Sequence, residues 1–130
     1  MKYRKKILVI DDEKDVLTYL STFFADNDFA VVCAENGREG LKRAISDSPD
    51  VITLDISMPE ESGVKLLREL QSGESTRKIP VIVITGVSSD LKRFLDNRNQ
   101  IHSPEGYFEK PVDRDLLLTK VKEILKAAKK

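Results

Sequence analysis

Five polar residues whose side chains could bind or accept a phosphoryl group lie where strand-like runs of the sequence end. They comprise three carboxylates, one hydroxyl and one ammonium: Asp11, Asp12, Asp55, Thr85 and Lys110. Carboxylate oxygens favour Mg²⁺, which usually takes one or two of them together with phosphate oxygens. A carboxylate can also attack phosphorus, and a lysine and a hydroxyl can neutralise the phosphoryl oxygens. If the fold brings these groups together, they predict a site for a divalent cation and a phosphoryl group.

The runs that precede these residues are short and rich in β-branched side chains, as buried strands are. They cover residues 7–10, 51–54, 81–84 and 107–108, and residues 29–34 form a further predicted strand. Between them, apolar residues recur at helical spacing. Strands that alternate with helices indicate a parallel sheet covered on both faces. Because the carboxyl ends of parallel strands meet at one edge, where such sheets bind ligands, that edge should collect all five side chains.

A helix is expected after each strand. The first follows Asp12, the second follows a turn at Asn36, the third has Ser62 as a plausible N-cap, the fourth begins near Ser88, and Asp113 can cap the fifth. No repeat and no linker interrupts this alternation. Because 130 residues suffice for one core and are too few for two, residues 1–130 are predicted to form a single domain.

Charge and composition exclude several classes of protein. Lys and Arg number 22, Asp and Glu also number 22, and the formal net charge is +0, which argues against a nucleic-acid or membrane-surface binder. No apolar stretch approaches the ~20 residues that span a bilayer, and no signal-peptide pattern precedes the first strand. The lone Cys33 cannot form a disulfide within the chain and is expected to be a buried structural thiol. The cytoplasm is therefore the simplest compartment.

The acidic run Asp-Asp-Glu-Lys-Asp at residues 11–15 also has a simpler interpretation. It could cap the first helix and complement the helix dipole without binding a ligand. That interpretation leaves Asp55 unexplained, because three carboxylates a few Å apart repel one another and require raised pKa values or a bound cation. A cis Lys110-Pro111 bond would direct the lysine into the site, but the sequence does not show whether that bond is cis.

Five short motifs follow one another along nearly the whole chain. They are Val9-Ile10-Asp11-Asp12-Glu13, Asn36-Gly37-Arg38-Glu39, Asp55-Ile56-Ser57-Met58-Pro59 with Gly63, Ile84-Thr85-Gly86, and Tyr107-Phe108-Glu109-Lys110-Pro111. Each is weak alone, but the set in this order is specific, and with it the chain resembles a response-regulator receiver domain of a two-component system. The resemblance implies a doubly wound, flavodoxin-like (βα)₅ fold: an α/β architecture with a five-stranded parallel sheet of strand order 2-1-3-4-5.

The resemblance also implies a role for each site residue. Asp55 would accept a phosphoryl group from a partner histidine kinase or histidine phosphotransfer protein. Asp12, Asp55 and the backbone carbonyl of Ser57 would bind Mg²⁺ directly, and Asp11 would act through water. Lys110 would pair with the phosphoryl group. Such a domain catalyses only its own phosphorylation and dephosphorylation, so it is not expected to be an enzyme.

The same resemblance implies a conformational switch. Thr85 would follow the phosphoryl group inward, and Tyr107 would be the aromatic residue that changes rotamer. The surface of the fourth helix, fifth strand and fifth helix would then change to control a downstream effector protein or an output domain outside this sequence. That surface could also form a homodimer. Direct contact with nucleic acid or membrane is not expected.

Two features depart from the usual pattern or are only loosely set by it. An aliphatic Val87, two residues after Thr85, cannot orient a water molecule, so the phosphoryl group is expected to be fairly long-lived. The segment between Thr85 and Lys110 is a few residues longer than usual and carries Ser103-Pro104-Glu105-Gly106 where relatives commonly have a Gly-Ala turn. The output surface is therefore expected to be unusual.

Three other functions compete with this one. A flavin-binding flavodoxin relative needs a hydroxyl- and glycine-rich phosphate cradle after the first strand, whereas this loop is acidic. A phosphatase with an aspartyl nucleophile needs a second acid two residues after it, where this chain has Ser57. The remaining alternative is a phosphorylation-independent interaction module that keeps the receiver shape.

Overall fold

A five-stranded parallel sheet forms the centre of the molecule. The computed structural model describes residues 4–57, 62–86 and 104–128. Its strands are Lys6–Ile10 (β1), Ala30–Ala34 (β2), Val51–Asp55 (β3), Val81–Thr85 (β4) and Gly106–Glu109 (β5). Every neighbouring pair is parallel, and the order across the sheet is β2-β1-β3-β4-β5. The predicted fold class and strand order are confirmed.

Four helices flank the sheet in the described part of the chain. They are Lys14–Asp26 (α1), Gly37–Asp47 (α2), Ser62–Ser72 (α3) and Arg114–Ala128, called here the C-terminal helix. The helix predicted to begin near Ser88 lies outside the described residues, as do Met58, Pro59 and Val87. No helix among the described residues is long and apolar enough to cross a membrane.

Alternation along the strands divides the core into two layers. On one face, the inner residues of β1, β3 and β4 pack with α2 and α3; this layer contains Leu8, Ile10, Ala44, Ile52, Leu54, Leu66, Leu67, Leu70 and Val83. On the other face, α1 and the C-terminal helix cover Ile7, Val9, Val51, Ile82 and Ile84 with Leu17, Leu20, Phe24, Leu117, Val121 and Leu125. Because successive strand residues point to opposite faces, every other residue belongs to the same layer.

The same alternation fixes where the polar side chains emerge beyond the strands. Asp11, Asp55 and Lys110 continue the rows of strand residues that face α1 and the C-terminal helix. Thr85 and Tyr107 continue the rows of the opposite layer, since Tyr107 is paired in register with Val83. The carboxyl edge of the sheet therefore presents two carboxylates and a lysine on one side and the Thr85 hydroxyl on the other, while Tyr107 lies within β5, on the same side as Thr85.

Local interactions set the helix ends. Asn36 caps α2, because its side chain accepts a hydrogen bond from the backbone N–H of Glu39 at 2.8 Å. Asp113 caps the C-terminal helix as predicted, and its carboxylate accepts from the backbone N–H of Asp115 at 3.0 Å. Ser62 is predicted as the N-cap that precedes α3, whereas the helix begins at Ser62 itself. Ends defined by hydrogen bonds and by caps commonly differ by one residue.

Candidate functional site

Lys110 joins the ends of three strands at the carboxyl edge of the sheet. Its Nζ lies 3.1 Å from Asp11 Oδ2, 3.1 Å from Asp55 Oδ2 and 2.8 Å from Glu13 Oε1. Asp11 and Asp55 are each only 2% exposed. The structure thus brings together three of the predicted site residues in a buried, charged cluster. Buried ions of opposite charge that share hydrogen bonds hold one another strongly, because water no longer screens them.

Backbone hydrogen bonds beyond the strands hold these side chains in place. The Asp11 N–H donates to the Ala34 carbonyl at 3.1 Å, which extends the pairing of β1 with β2 by one residue. The Lys110 N–H donates to the Thr85 carbonyl at 2.8 Å and extends the pairing of β5 with β4 in the same way. The Lys110–Pro111 peptide bond is cis, a point that the sequence left open.

Both oxygens of the Asp55 carboxylate are engaged. Oδ1 accepts from the Ser57 backbone N–H at 2.8 Å and from the Ser57 hydroxyl at 2.6 Å, while Oδ2 accepts from Lys110. The Ser57 oxygen in turn lies 3.4 Å from the N–H of Gly86, at the end of β4. The hydroxyl of Ser57 therefore belongs to the site, whereas the role expected of this residue in binding Mg²⁺ involved only its backbone carbonyl.

The helix that follows Asp55 comes close to its backbone. A Cβ atom on Gly63, in the first turn of α3, would lie 2.4 Å from Ile56 Cα and 2.7 Å from the Asp55 carbonyl oxygen. Only glycine permits this approach, because both neighbouring atoms belong to the backbone and cannot rotate away. Gly63 therefore allows α3 to pack directly against the turn that carries the acidic residue.

The electrostatics of the cluster favour a protonated lysine and a weakly acidic Asp11. Burial raises the pKa of Asp11 to about 6; the charge of Asp55 adds to this increase, while the Glu13 N–H and Lys110 oppose it. For Lys110, burial alone would lower the pKa. The hydrogen bonds to Glu13, Asp55 and Asp11 outweigh burial and raise the pKa above its usual range. Lys110 therefore carries its positive charge throughout the physiological pH range.

An oxygen-only set of ligands surrounds the lysine. Carboxylate oxygens of Asp11, Asp12, Glu13 and Asp55 all lie within 4.8 Å of one another. Asp12 and Glu13 are exposed, whereas Asp11 and Asp55 are buried. Hard oxygen donors at this spacing fit Mg²⁺, which keeps several waters and takes few protein ligands. Sequence reasoning gave Glu13 no role of its own, although its position directly after the two aspartates was a usable signal.

Thr85 and Tyr107 occupy neighbouring strands near this cluster. Thr85 is buried at the end of β4, and the residue before it, Ile84, pairs with Asp55. Tyr107 lies in β5 with 37% of its surface exposed. Both residues face the layer that contains α3, and Tyr107 pairs in register with Val83, two residues before Thr85.

A second threonine lies beneath the site and was not expected. Thr53 is 1% exposed in the middle of β3, two residues before Asp55 on the same face of the sheet. Its hydroxyl oxygen has no hydrogen-bond partner in the part of the chain that the structure describes. In register, its neighbours are Val9 and Ile82, which are both apolar. The one signal in the sequence is a threonine inside an otherwise apolar run.

Comparisons with known proteins agree with this geometry. A family model described as the response regulator receiver domain matches residues 7–122. The regulatory protein AtoC of Escherichia coli (strain K12) is 45% identical over 80 residues, which cover 62% of this chain and 17% of AtoC. The protein PilH of Pseudomonas aeruginosa is 31% identical over 120 residues, which cover 92% of this chain and 97% of PilH. This chain therefore corresponds to a small part of AtoC and to nearly the whole of PilH.

Solved structures lead to the same family. The crystal structure of a CheY-like response regulator receiver domain protein from Methanospirillum hungatei JF-1 matches with a TM-score of 0.82 and 26% identity. The match covers 96% of this chain and 96% of that one. The path of the backbone thus has a counterpart in a solved structure of that description.

Proposed function

Because this chain belongs to the response regulator receiver family, we propose that it is a signalling switch in which Asp55 accepts a phosphoryl group in the presence of Mg²⁺. The receiver family is not a family of catalytic enzymes. The observation that carries the proposal is the buried cluster in which Lys110 bridges Asp11 and Asp55, with Nζ 3.1 Å from an oxygen of each. A carboxylate held beside a fixed positive charge is well placed to receive a phosphoryl group.

Each residue of the cluster has a task in the proposed reaction. One oxygen of Asp55 forms a bond to phosphorus while the bond between phosphorus and the donor breaks, so an aspartyl phosphate replaces the phosphorylated donor. Lys110 pairs with a phosphoryl oxygen, and the Ser57 N–H and hydroxyl, at 2.8 and 2.6 Å, orient the carboxylate before attack.

Mg²⁺ would be held by the oxygen donors around Lys110. Asp12, Asp55 and the backbone carbonyl of Ser57 would bind it directly, and Asp11 through water. When bound, the ion supplies positive charge that neutralises the phosphoryl oxygens in the transition state. What supports this assignment is that four carboxylates have oxygens within 4.8 Å of one another, while Lys110 is the one cation that pairs with them among the described residues.

The proposed readout runs through Thr85 and Tyr107. Phosphorylation would draw the hydroxyl of Thr85 toward the new phosphoryl group and shift the rotamer equilibrium of Tyr107. Support comes from their placement in one layer of the sheet and from the 37% exposure of Tyr107, which leaves its ring accessible to a partner. Together with the segment before it and the C-terminal helix, Tyr107 would form the output surface.

The partners follow from the family. We propose a histidine kinase or a histidine phosphotransfer protein as donor, and an effector protein or an output domain outside this sequence as target, with a homodimer through the output surface as a further possibility. Residues 1–130 would form one receiver domain. The single thiol of Cys33 is free and is half-buried rather than buried as expected, because β2 lies at the edge of the sheet. A free thiol suits a reducing compartment such as the cytoplasm.

Intact mass spectrometry after incubation with acetyl phosphate and Mg²⁺ tests the proposal. The parent protein should gain one phosphoryl group, and the gain should disappear without Mg²⁺ and in Asp55→Asn. Asp26→Asn is the matched control, because Asp26 is exposed at the far end of α1 and should leave the reaction unchanged. A parent protein that gains no mass and does not respond to beryllofluoride would instead be a phosphorylation-independent interaction module.

A further inference from the structure

Glu13 occupies the N-cap position of α1 but does not act as a cap. Its backbone is extended, with φ −94° and ψ 117°, and its side chain makes no capping hydrogen bond to the described backbone of the helix. Glutamate is not among the residues preferred at this position, where a shorter side chain reaches the free N–H groups of the first turn. The local structure of α1 therefore gives no reason for a glutamate at residue 13.

The carboxylate of Glu13 reaches across the site to Lys110 instead. The contact joins residues 97 positions apart, and at 2.8 Å it is the shortest of the three ion pairs that Lys110 makes. The side chain of Glu13 is 61% exposed, whereas those of Asp11 and Asp55 are 2% and 3% exposed. Glu13 thus binds the ammonium from the solvent side, the side from which a phosphodonor must approach.

This contact competes with the reaction. In the proposed mechanism the ammonium of Lys110 pairs with an oxygen of the incoming phosphoryl group. An ammonium has three N–H donors, and here Asp11, Asp55 and Glu13 each accept a hydrogen bond from it. One of these three carboxylates must release Lys110, and Glu13 is the one whose release leaves no buried carboxylate without its partner, because Glu13 is exposed.

We propose that Glu13 is a positioning residue that holds Lys110 in the resting state and slows phosphorylation of Asp55. The inference rests on the function proposed above. Breaking one solvent-exposed ion pair should speed phosphorylation by about two- to fivefold. Glu13 would thus set how readily the switch accepts a phosphoryl group without touching that group itself.

Glu13→Asp separates this role from a general effect of charge. Aspartate keeps the negative charge, is a preferred N-cap and should fold at least as well as the parent. Its side chain is shorter by one carbon–carbon bond, about 1.5 Å, so its carboxylate cannot maintain a 2.8 Å contact with Lys110. Glu13→Gln removes the charge and keeps the length. Asp15→Asn is the matched control, because Asp15 is an exposed acid in the first turn of α1 that contacts no cation among the described residues.

The experiment measures the rate constant of phosphorylation by subsaturating acetyl phosphate with Mg²⁺ for the parent protein and the three variants, with thermal unfolding as a check on folding. Glu13→Asp and Glu13→Gln should both react about two- to fivefold faster than the parent, and Asp15→Asn should match it. A Glu13→Asp variant that reacts at the parental rate, or more slowly, overturns the proposal, since charge or metal binding would then explain Glu13. A parent that accepts no phosphoryl group refutes the proposed function itself, and this is visible before any variant is compared.

Discussion

Because the buried hydroxyl of Thr53 has no hydrogen-bond partner among the described residues, we expect its removal to make the protein more stable. A buried hydroxyl without a hydrogen bond costs about 1–3 kcal/mol relative to its hydrated state in the unfolded chain. Thr53 is 1% exposed, and its hydroxyl has no partner among the described residues. Valine has nearly the same shape and lacks the hydroxyl. We therefore expect Thr53→Val to raise the free energy of unfolding by about 1–2 kcal/mol.

A second buried threonine provides a control of opposite sign. Thr76 is 2% exposed, but its hydroxyl donates to the Leu70 carbonyl at the end of α3 at 2.8 Å. The same substitution there breaks that bond and leaves a buried carbonyl without its donor, so Thr76→Val should lower stability by about 1–2 kcal/mol. The two variants undergo the same chemical change at similar burial, Thr53 in a strand and Thr76 in a turn, and the hydroxyl is hydrogen-bonded only in Thr76 among the described residues.

Urea unfolding followed by circular dichroism measures the difference. If the slope with denaturant stays constant, a shift of the midpoint reports stability alone. The midpoints should move in opposite directions, with a separation of about 2–4 kcal/mol between the two variants. A Thr53→Val protein that loses as much stability as Thr76→Val would refute the reasoning, because the Thr53 hydroxyl would then have a partner such as an interior water.

Three further predictions concern the site. Gly63→Ala should lower stability by about 1–3 kcal/mol in urea unfolding and slow phosphorylation, because its Cβ would lie 2.4 Å from a backbone atom. Gly40→Ala is the control: its Cβ would meet only the ends of side chains, at 2.9 Å, so the loss of stability should be smaller. Burial raises the pKa of Asp11 from 3.8 to about 6, so the folded state holds the proton of this carboxyl group more tightly than the unfolded chain does. The contribution of Asp11 to stability is therefore present below pH 3.8 and is lost as pH rises to about 6. Asp11→Asn should therefore gain stability relative to the parent over that interval, and an unchanged difference would contradict the burial argument. Mg²⁺ should raise the thermal unfolding midpoint of the parent more than that of Asp12→Asn. Equal shifts would show that Asp12 does not bind the cation.

Most of the fold could be predicted because its signals are local. The apolar runs identified the strands to within one residue at each end, and the cap at Asp113 and the turn at Asn36 follow from side chains that bond to nearby backbone. The strand order came from the resemblance, since periodicity alone does not say which strands are neighbours. Ile45 shows the limit of local patterns: it lies at helical spacing from Leu41, yet it is 53% exposed.

The parts of the site that could not be predicted depend on contacts between distant segments. The ion pair between Glu13 and Lys110 spans 97 positions, and no pattern near either residue indicates it. The missing partner of Thr53 depends on the neighbours that the sheet register supplies, Val9 and Ile82. A sequence shows which chemical groups are available, whereas their pairing depends on the packing of the whole domain.

The division of the sheet into two faces gives the proposed switch a physical path. Asp55, which would receive the phosphoryl group, and Lys110, which would pair with it, belong to the face covered by α1 and the C-terminal helix. Thr85 and Tyr107 belong to the other face. A backbone hydrogen bond links the two sets, because the Thr85 carbonyl accepts from the Lys110 N–H at 2.8 Å. A lysine drawn toward a phosphoryl oxygen therefore acts on the backbone of Thr85 as well as on its own side-chain partners. On this reasoning the release of Lys110 from Glu13 and the movement of Thr85 are coupled, and a variant that speeds phosphorylation through residue 13 should also shift the rotamer equilibrium of Tyr107.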